Sequence, residues 1–212
     1  LILNKYYSEC QGLFQQLSQS DSRVDVSEEV RQRSMHYAEH FPKAAHSVSA
    51  RYRQMPYRVF LRTIEARLQS TYDSTAFPYE SAEEFIADIE LIADSLRANK
   101  GKNAGLFSVQ RLLRRAHTFG FHMASLDIRQ NALVHQQVIG EALGEKDWLE
   151  RSSEDRIKRL KMALENFESP LEPLSSDARR TLAVFQAIAH CRRKYGARSI
   201  GSYVVSMAKG PD

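Results

Sequence analysis

The sequence predicts a predominantly α-helical chain with two short strands, near residues 123–129 and 202–207. Apolar side chains recur at three- and four-residue spacing through most of the 212 residues, which is the pattern of amphipathic helices. Two segments instead alternate apolar with polar residues, which is the period of a strand. With 42% hydrophobic and 26% charged residues, and only 9 Gly and 6 Pro, the composition is that of a folded globular protein.

Residues 1–120 are predicted to form a helical segment. Helices are expected over residues 3–17, near 30–37, from Pro56 to 68, from Ser81 to 96, and from 106 to 117. Pro56 is suited to open its helix, because proline at the first helical position loses no hydrogen bond. Ser81 and Glu84 have the spacing of a capping box, in which each side chain binds a free backbone amide. Gly120 is expected to end the last of these helices.

Residues 121–212 are predicted to form a second segment, in which the two strands flank three helices. The helices are expected over residues 133–143, 154–167 and 177–195. Two strands by themselves are marginal in water, so these two are expected to have partners elsewhere. The chain also lacks an initiator Met and stops just after a strand. We therefore expect it to be an incomplete part of a larger protein.

The net charge of +4 comes from clustered basic residues. The clusters are Arg51, Arg53, Arg58, Arg62 and Arg67, then Arg156, Lys158, Arg159 and Lys161. Each cluster shares a helix with an apolar stripe, which favours a solvated basic face over a nucleic-acid site.

No apolar run approaches the roughly 20 residues of a membrane-spanning helix, and no secretory signal is evident, so a cytoplasmic location is expected. Cys10 and Cys191 have no nearby Cys or His at zinc-site spacing and are predicted to be reduced and buried. His36 and His40 are four residues apart, but Glu39 is misplaced for the H-E-x-x-H zinc motif. Surface histidines are the favoured interpretation.

Arg129 is predicted to lie at the carboxyl end of the first strand, and Lys209 to follow the second. In barrels of parallel strands, the carboxyl ends form the active-site face. A guanidinium there suits a carboxylate or a phosphate, which its planar fork can bind through two hydrogen bonds. From position alone an alternative stays open, in which Arg129 pairs with Asp127 or another acid and only closes the strand end.

Three ordered motifs resemble those of the phosphoenolpyruvate carboxylase family. The run Leu126-Asp127-Ile128-Arg129-Gln130, preceded by Thr118-Phe119-Gly120-Phe121 and followed by His135, resembles the strand that ends in the D-I-R-Q motif. The run Ser202-Tyr203-Val204-Val205-Ser206-Met207-Ala208-Lys209 resembles the later Y-V-I-S-M-A strand. The run Pro56-Tyr57-Arg58 falls where the family has its own P-Y-R. Three matches in the family's order are far more specific than any one of them.

The resemblance implies a segment of an α/β barrel enzyme. That enzyme joins phosphoenolpyruvate and bicarbonate to give oxaloacetate and phosphate with Mg or Mn, usually as a homotetramer. Arg129 would then lie in the phosphoenolpyruvate site, with Asp127, Gln130 and Lys209 as candidates for the layer of residues behind it. The family's catalytic histidine lies before this segment and its metal-binding acids lie after it. The segment alone is therefore expected to hold no catalytic residue and no metal, and to be inactive.

The chain departs from the family pattern after D-I-R-Q, where Asn131-Ala132 replaces the usual Glu-Ser. The change removes one acid near the site, and Asn131 is expected to cap the next helix. The alternative function is a free-standing helical interaction module that uses the basic face between residues 51 and 67. Upstream and downstream family motifs in the full reading frame would decide between the two.

Overall fold

The computed structural model describes residues 1–210, which form nine α-helices and two strands. The helices are α1 (Ile2–Gln16), α2 (Glu28–His40), α3 (Pro42–His46), α4 (Pro56–Asp73), α5 (Ala82–Ala98), α6 (Leu106–Phe119), α7 (Ala132–Ala142), α8 (Ser153–Glu165) and α9 (Ser176–Tyr195). The strands are β1 (Leu126–Asn131) and β2 (Ile200–Ser206). The chain divides into two compact units, residues 1–124 and the residues from Ser125 onward. The predicted helical character is confirmed.

The core of the first unit lies where α1 packs on α4 and α5 packs on α6. The apolar stripe of α1 is buried as predicted, and Tyr6 on it stacks against Phe85 with ring centroids 5.2 Å apart. Phe121 lies 6.1 Å from Phe85, so aromatic rings from three parts of the unit meet in one cluster. The Tyr6 hydroxyl donates to the Gly120 carbonyl at 2.9 Å. This bond ties the end of α6 to α1.

The helix boundaries in this unit follow local chemistry at two predicted positions and depart from it at a third. Pro56 is the first residue of α4, and Gly120 ends α6 with a φ of 49°, a region that favours glycine. Ser81 precedes α5 as predicted, but its side chain makes no capping hydrogen bond. Glu84 instead forms an ion pair with Arg67. The predicted capping box is wrong, because Glu84 is engaged by a tertiary partner on α4.

Two arginines of the first basic cluster are buried. Arg58 is 6% exposed and Arg67 is 7% exposed. The Arg58 Nε donates to the Leu17 carbonyl at 3.2 Å, one of the acceptors left free at the end of α1. The Arg67 guanidinium lies 4.5 Å from the ring centroid of Phe77 and 4.1 Å from that of Tyr79. The predicted solvated basic face is therefore wrong for these two, since carbonyls and aromatic faces replace water around the cations.

Asp88 on α5 is fully buried and links α5 to α2. Its Oδ2 accepts from the Tyr37 hydroxyl at 2.8 Å and from the Tyr79 hydroxyl at 2.6 Å. Its Oδ1 accepts from the Arg33 Nη1 at 2.9 Å. Burial raises the pKa of Asp88 above its usual value, although these donors act in the opposite direction. We refer to Asp88, Tyr37, Tyr79 and Arg33 as the Asp88 cluster.

Glu65 on α4 is a second buried carboxylate, and it has fewer partners. It is 1% exposed, its Oε2 accepts from the Arg62 Nη1 at 2.6 Å, and its Oε1 has no hydrogen-bond partner. Burial raises the pKa of Glu65 to about 7, and the nearby Arg62 only partly offsets this effect. Glu65 therefore titrates near neutral pH.

Replacing Glu65 by glutamine is expected to stabilise the protein at pH 8 and to change little at pH 4. The folded state holds the Glu65 proton more tightly than the unfolded state, since its pKa is raised from 4.5 to about 7. The contribution of Glu65 to the free energy of unfolding is therefore fully present below pH 4.5 and is lost as the pH rises through about 7. The variant should gain about 1–3 kcal/mol in unfolding free energy at pH 8. Denaturant unfolding at several pH values measures the difference.

Glu29→Gln is the matched control, because Glu29 is exposed on α2 and its loss removes the same single charge. A gain of equal size in both variants at pH 8 would show a general charge effect. Equal stability of Glu65→Gln and wild type across the pH range would contradict the prediction.

The second unit contains a parallel pair of strands, β1 and β2. Helices α7 and α9 pack on one face of the pair. There the Tyr203 hydroxyl lies 3.0 Å from the His135 Nε2, and the Tyr203 ring stacks on Phe185 with centroids 5.3 Å apart. Burial lowers the pKa of His135. Val204 and Val205 remain 38% and 43% exposed, so much of this apolar strand has no cover within the described residues.

Both strands are displaced from their predicted positions. The segment at residues 123–129 was expected to be extended, but Met123 has a φ of 67° and lies in a turn, so β1 begins at Leu126. The strand predicted over residues 202–207 begins earlier, at Ile200, and ends at Ser206 because Met207 has a φ of 60°. A positive φ interrupts the extended backbone that a strand requires. Arg129 consequently lies two residues before the end of β1 rather than at its last position.

Cys10 is a free, buried thiol, as predicted. Cys191 is also free but only half-buried, which corrects the expectation that both cysteines are buried. Cys191 lies on α9, whose buried residues are Ala178 and Thr181 in its first two turns. Within residues 1–210, no helix has both the length and the apolar character needed to cross a membrane.

Candidate anion-binding site

Arg129 projects from the face of the parallel pair opposite to α7 and α9. Side chains alternate along a strand, and Ile128 pairs with Tyr203 on the face that the helices cover. Arg129 pairs with Val204 on the other face, and both are exposed. Helices α7 and α9 cover only the face of Ile128 and Tyr203. The Arg129 side chain is therefore directed to the face that these helices leave uncovered.

The Arg129 guanidinium forms no hydrogen bond or ion pair with any residue that the structure describes. Asp127, the acid proposed as its partner in the alternative interpretation, is directed elsewhere. Its Oδ1 accepts from the Ser202 backbone N–H at 2.9 Å. Five guanidinium donors are thus available to a ligand.

Lys209 follows the carboxyl end of β2 in the sequence. Asn131 pairs with Ser206 at the carboxyl end of both strands, and Lys209 follows three residues beyond Ser206. Lys209 is exposed and has no ion pair among residues 1–210. Lys209 therefore stays a prediction as a second cation near Arg129, on the basis of its place in the sequence after β2.

Gln130 faces the opposite way from Arg129. Its side chain lines a groove between α7 and α9 together with Val138 and Thr181, and its Oε1 accepts from the Asn131 backbone N–H at 2.9 Å. The Ser206 hydroxyl donates to the Gln130 carbonyl at 3.2 Å. Gln130 therefore reaches Arg129 only through the backbone of β1.

Asn131 joins the strand directly to the helix. Its Oδ1 accepts from the Leu133 backbone N–H at 2.9 Å, which confirms the predicted cap of α7. Because Asn131 is both the last residue of β1 and the cap of α7, no loop separates Arg129 from the helix. Asn131, which stands where the resembling family has glutamate, thus uses its side chain to cap α7.

No group of three His, Cys, Asp or Glu side chains that could hold a metal ion is present among residues 1–210. His36 and His40 are both exposed, as their interpretation as surface histidines predicts. The His40 ring stacks on Phe77 with centroids 3.8 Å apart, and His36 lies edge-on to the same ring at 5.7 Å. Residues 1–210 therefore contain no set of ligands that fits the divalent ion that the resemblance implies.

Two contacts near Arg129 escaped the sequence interpretation. The alternation in β2 identifies Tyr203 as a strand residue, but it does not show that His135 and Phe185 contact it. The contact of Asp127 with Ser202 depends on a local irregularity in β2. Gly201 could have indicated it from the sequence, because a glycine inside a strand often marks a bulge.

Comparison with known proteins adds independent information. A family model described as phosphoenolpyruvate carboxylase matches residues 1–212. A curated relative of that name from Xanthomonas euvesicatoria pv. vesicatoria is 40% identical over 208 residues, which are 98% of this chain and 23% of the relative. Relatives of the same name from Bradyrhizobium diazoefficiens and Nitrosomonas europaea are 31% and 29% identical, over 99% of this chain and 24% of each relative. The chain thus spans about a quarter of the length of these relatives.

Proposed function

The chain belongs to the phosphoenolpyruvate carboxylase family, and from that premise we propose that the whole protein joins phosphoenolpyruvate to bicarbonate. The products are oxaloacetate and phosphate. In this proposal residues 1–212 form a helical part and a barrel part of the enzyme, and the described residues supply one component of the substrate site. That component is Arg129.

One observation carries the proposal for Arg129: its guanidinium is exposed on the face away from the helices and has no partner within residues 1–210. A cation held on a strand and left without an internal acid is suited to bind an external anion. The substrate carries a carboxylate and a phosphate, and each can accept two parallel hydrogen bonds from a guanidinium.

Arg129 has two tasks in this proposal. In the ground state it orients phosphoenolpyruvate by holding one of its anionic groups. As charge moves onto the departing phosphate and the enolate oxygen, a cation already in place stabilises it without rearrangement. Lys209, which follows β2, adds a second positive charge, and Asp127 and Gln130 support the strand from which Arg129 extends.

A bound Mg²⁺ or Mn²⁺ would supply Lewis-acid chemistry to the reaction, and its ligands are assigned to parts of the whole protein that follow residue 212. A polypeptide of residues 1–212 is therefore expected to form no oxaloacetate and to bind neither ion specifically. Coupled oxaloacetate assays and calorimetric metal titration measure both. The whole protein is the control, in which turnover should depend on phosphoenolpyruvate, bicarbonate and metal.

Turnover by residues 1–212 alone would contradict this assignment. A whole protein that forms no oxaloacetate under any metal condition would refute the proposed reaction itself. Assembly as a homotetramer, a cytoplasmic location and the absence of a nucleic-acid partner are further parts of the proposal. The burial of Arg58 and Arg67 supports the last of these, because it divides the basic face that an interaction module would use.

A further inference from the structure

β2 contains a one-residue bulge beside Asp127. Asp127 alone lies opposite two residues of β2, Gly201 and Ser202. The flanking pairs are Leu126 with Ile200 and Ile128 with Tyr203. A bulge leaves a backbone group out of the ladder, and here the Asp127 Oδ1 accepts from the Ser202 N–H at 2.9 Å. The carboxylate thus replaces the missing strand partner.

Gly201 leaves room for this contact. A Cβ built at Gly201 would overlap the Asp127 Oδ1, so any other residue at this position displaces the carboxylate. Asp127 and Gly201 therefore form a matched pair across the two strands. One supplies the acceptor and the other supplies the space.

The bulge decides which face each later residue of β2 occupies. With it, Tyr203 pairs with Ile128 and lies on the face that α7 and α9 cover. If the pairing continued without it, Tyr203 would lie beside Arg129, because a shift of one residue moves every side chain to the other face. The environment of Arg129 thus depends on the bulge.

We propose that Asp127 is a positioning residue for Arg129, since its carboxylate holds the bulge at Gly201 and Ser202. The bulge fixes the face and the register of the β2 residues beside Arg129. This inference rests on the proposed function of Arg129 in binding phosphoenolpyruvate. Asp127 itself touches no substrate and acts through the backbone of β2.

Asp127→Ala in the whole enzyme is expected to raise KM for phosphoenolpyruvate roughly five- to tenfold, with a smaller change in kcat, because one hydrogen bond that orients the site is lost. Asp127→Asn should restore most of the affinity, since the amide oxygen can accept the same bond. Gly201→Ala should resemble Asp127→Ala. Gly12→Ala is the matched glycine control and should leave the kinetics unchanged, because a Cβ at Gly12 on α1 meets no atom within 4 Å.

The decisive measurement repeats Asp127→Ala in an Arg129→Ala enzyme. If Asp127 acts through Arg129, its removal there should change KM by less than about twofold, since coupled residues are not additive. An undiminished effect would show a general structural role and would overturn the inference. Normal kinetics of Asp127→Ala beside an impaired Arg129→Ala would overturn it too, while leaving the proposed function intact. Normal kinetics of Arg129→Ala itself would remove both.

Discussion

Replacing Arg129 by alanine in the whole enzyme is expected to lower kcat/KM for phosphoenolpyruvate by roughly ten- to more than a hundredfold. The range corresponds to about 1.5–3 kcal/mol, the typical contribution of a hydrogen bond that involves a charged group. The guanidinium has no acid partner within residues 1–210, so its removal breaks no ion pair there and should leave folding intact. Steady-state kinetics and the melting temperature, measured on the same preparations, test both parts.

Arg129→Lys separates charge from geometry. Lysine keeps the positive charge but loses the planar fork, so its kcat/KM should fall between those of wild type and Arg129→Ala. Arg180→Ala is the matched control, because the Arg180 side chain on α9 is 81% exposed. Its Nη1 lies 3.9 Å from the Oδ1 of Asp177, so the pair is a weak surface contact. That variant should retain full activity.

The alternative role for Arg129 makes a different forecast. If this residue only closes the strand end, Arg129→Ala should lower the melting temperature while the folded enzyme keeps its efficiency. Unchanged kcat/KM for phosphoenolpyruvate, with or without lower stability, would refute substrate binding by Arg129.

The sequence predicted elements that local chemistry determines. Pro56 begins α4, Asn131 caps α7 and Gly120 ends α6, each because one residue type suits one backbone position. The strands were less well placed. Met123 and Met207 adopt positive φ values, which no residue-type rule assigns to methionine, and these positions determine where the extended segments begin and end.

The sequence proposes the residues of the candidate site but not their contacts. Period-two alternation and the carboxyl-end rule for parallel strands identified Arg129 and Lys209 as candidates. The identity of the β2 residue beside Arg129, and the engagement of Asp127 with Ser202, depend on the bulge in β2. A bulge moves the later side chains of a strand to the other face of the sheet without changing the residues in it. The alternating sequence pattern therefore does not reveal the bulge.

Charged residues of the first unit show a second limit. A solvated face was predicted from the spacing of the basic residues, yet Arg67 lies among aromatic rings and Asp88 lies in the core. Partners that converge on a buried charge stabilise it, and two of the partners of Asp88, Arg33 and Tyr37, are distant from it in sequence. Tyr37 and Asp88 are 51 residues apart, so their pairing leaves no local signal.

Asp88→Ala is expected to destabilise the first unit by about 3–5 kcal/mol, as is typical when one member of a buried charged network is removed. The substitution leaves the hydroxyls of Tyr37 and Tyr79 without their acceptor and the Arg33 cation without its counter-ion. The raised pKa of Asp88 shows that burial of its charge is unfavourable, but the loss of three partners outweighs the relief. Amide hydrogen exchange in α5 and the melting temperature measure the effect in the whole protein.

Asp88→Asn and Asp94→Ala make this prediction specific. Asparagine keeps one oxygen that can accept from the two tyrosines, but it presents an uncharged amide to Arg33. The loss of unfolding free energy should therefore be smaller than for alanine, about 1–3 kcal/mol. Asp94 lies on the same helix with its side chain 71% exposed, and Asp94→Ala should change stability by less than about 0.5 kcal/mol. If the backbone amides of α5 exchange equally slowly in Asp88→Ala and Asp94→Ala, the Asp88 cluster does not hold α2 and α5 together. A large loss only in Asp88→Ala would identify Asp88 as the residue that joins the two helices.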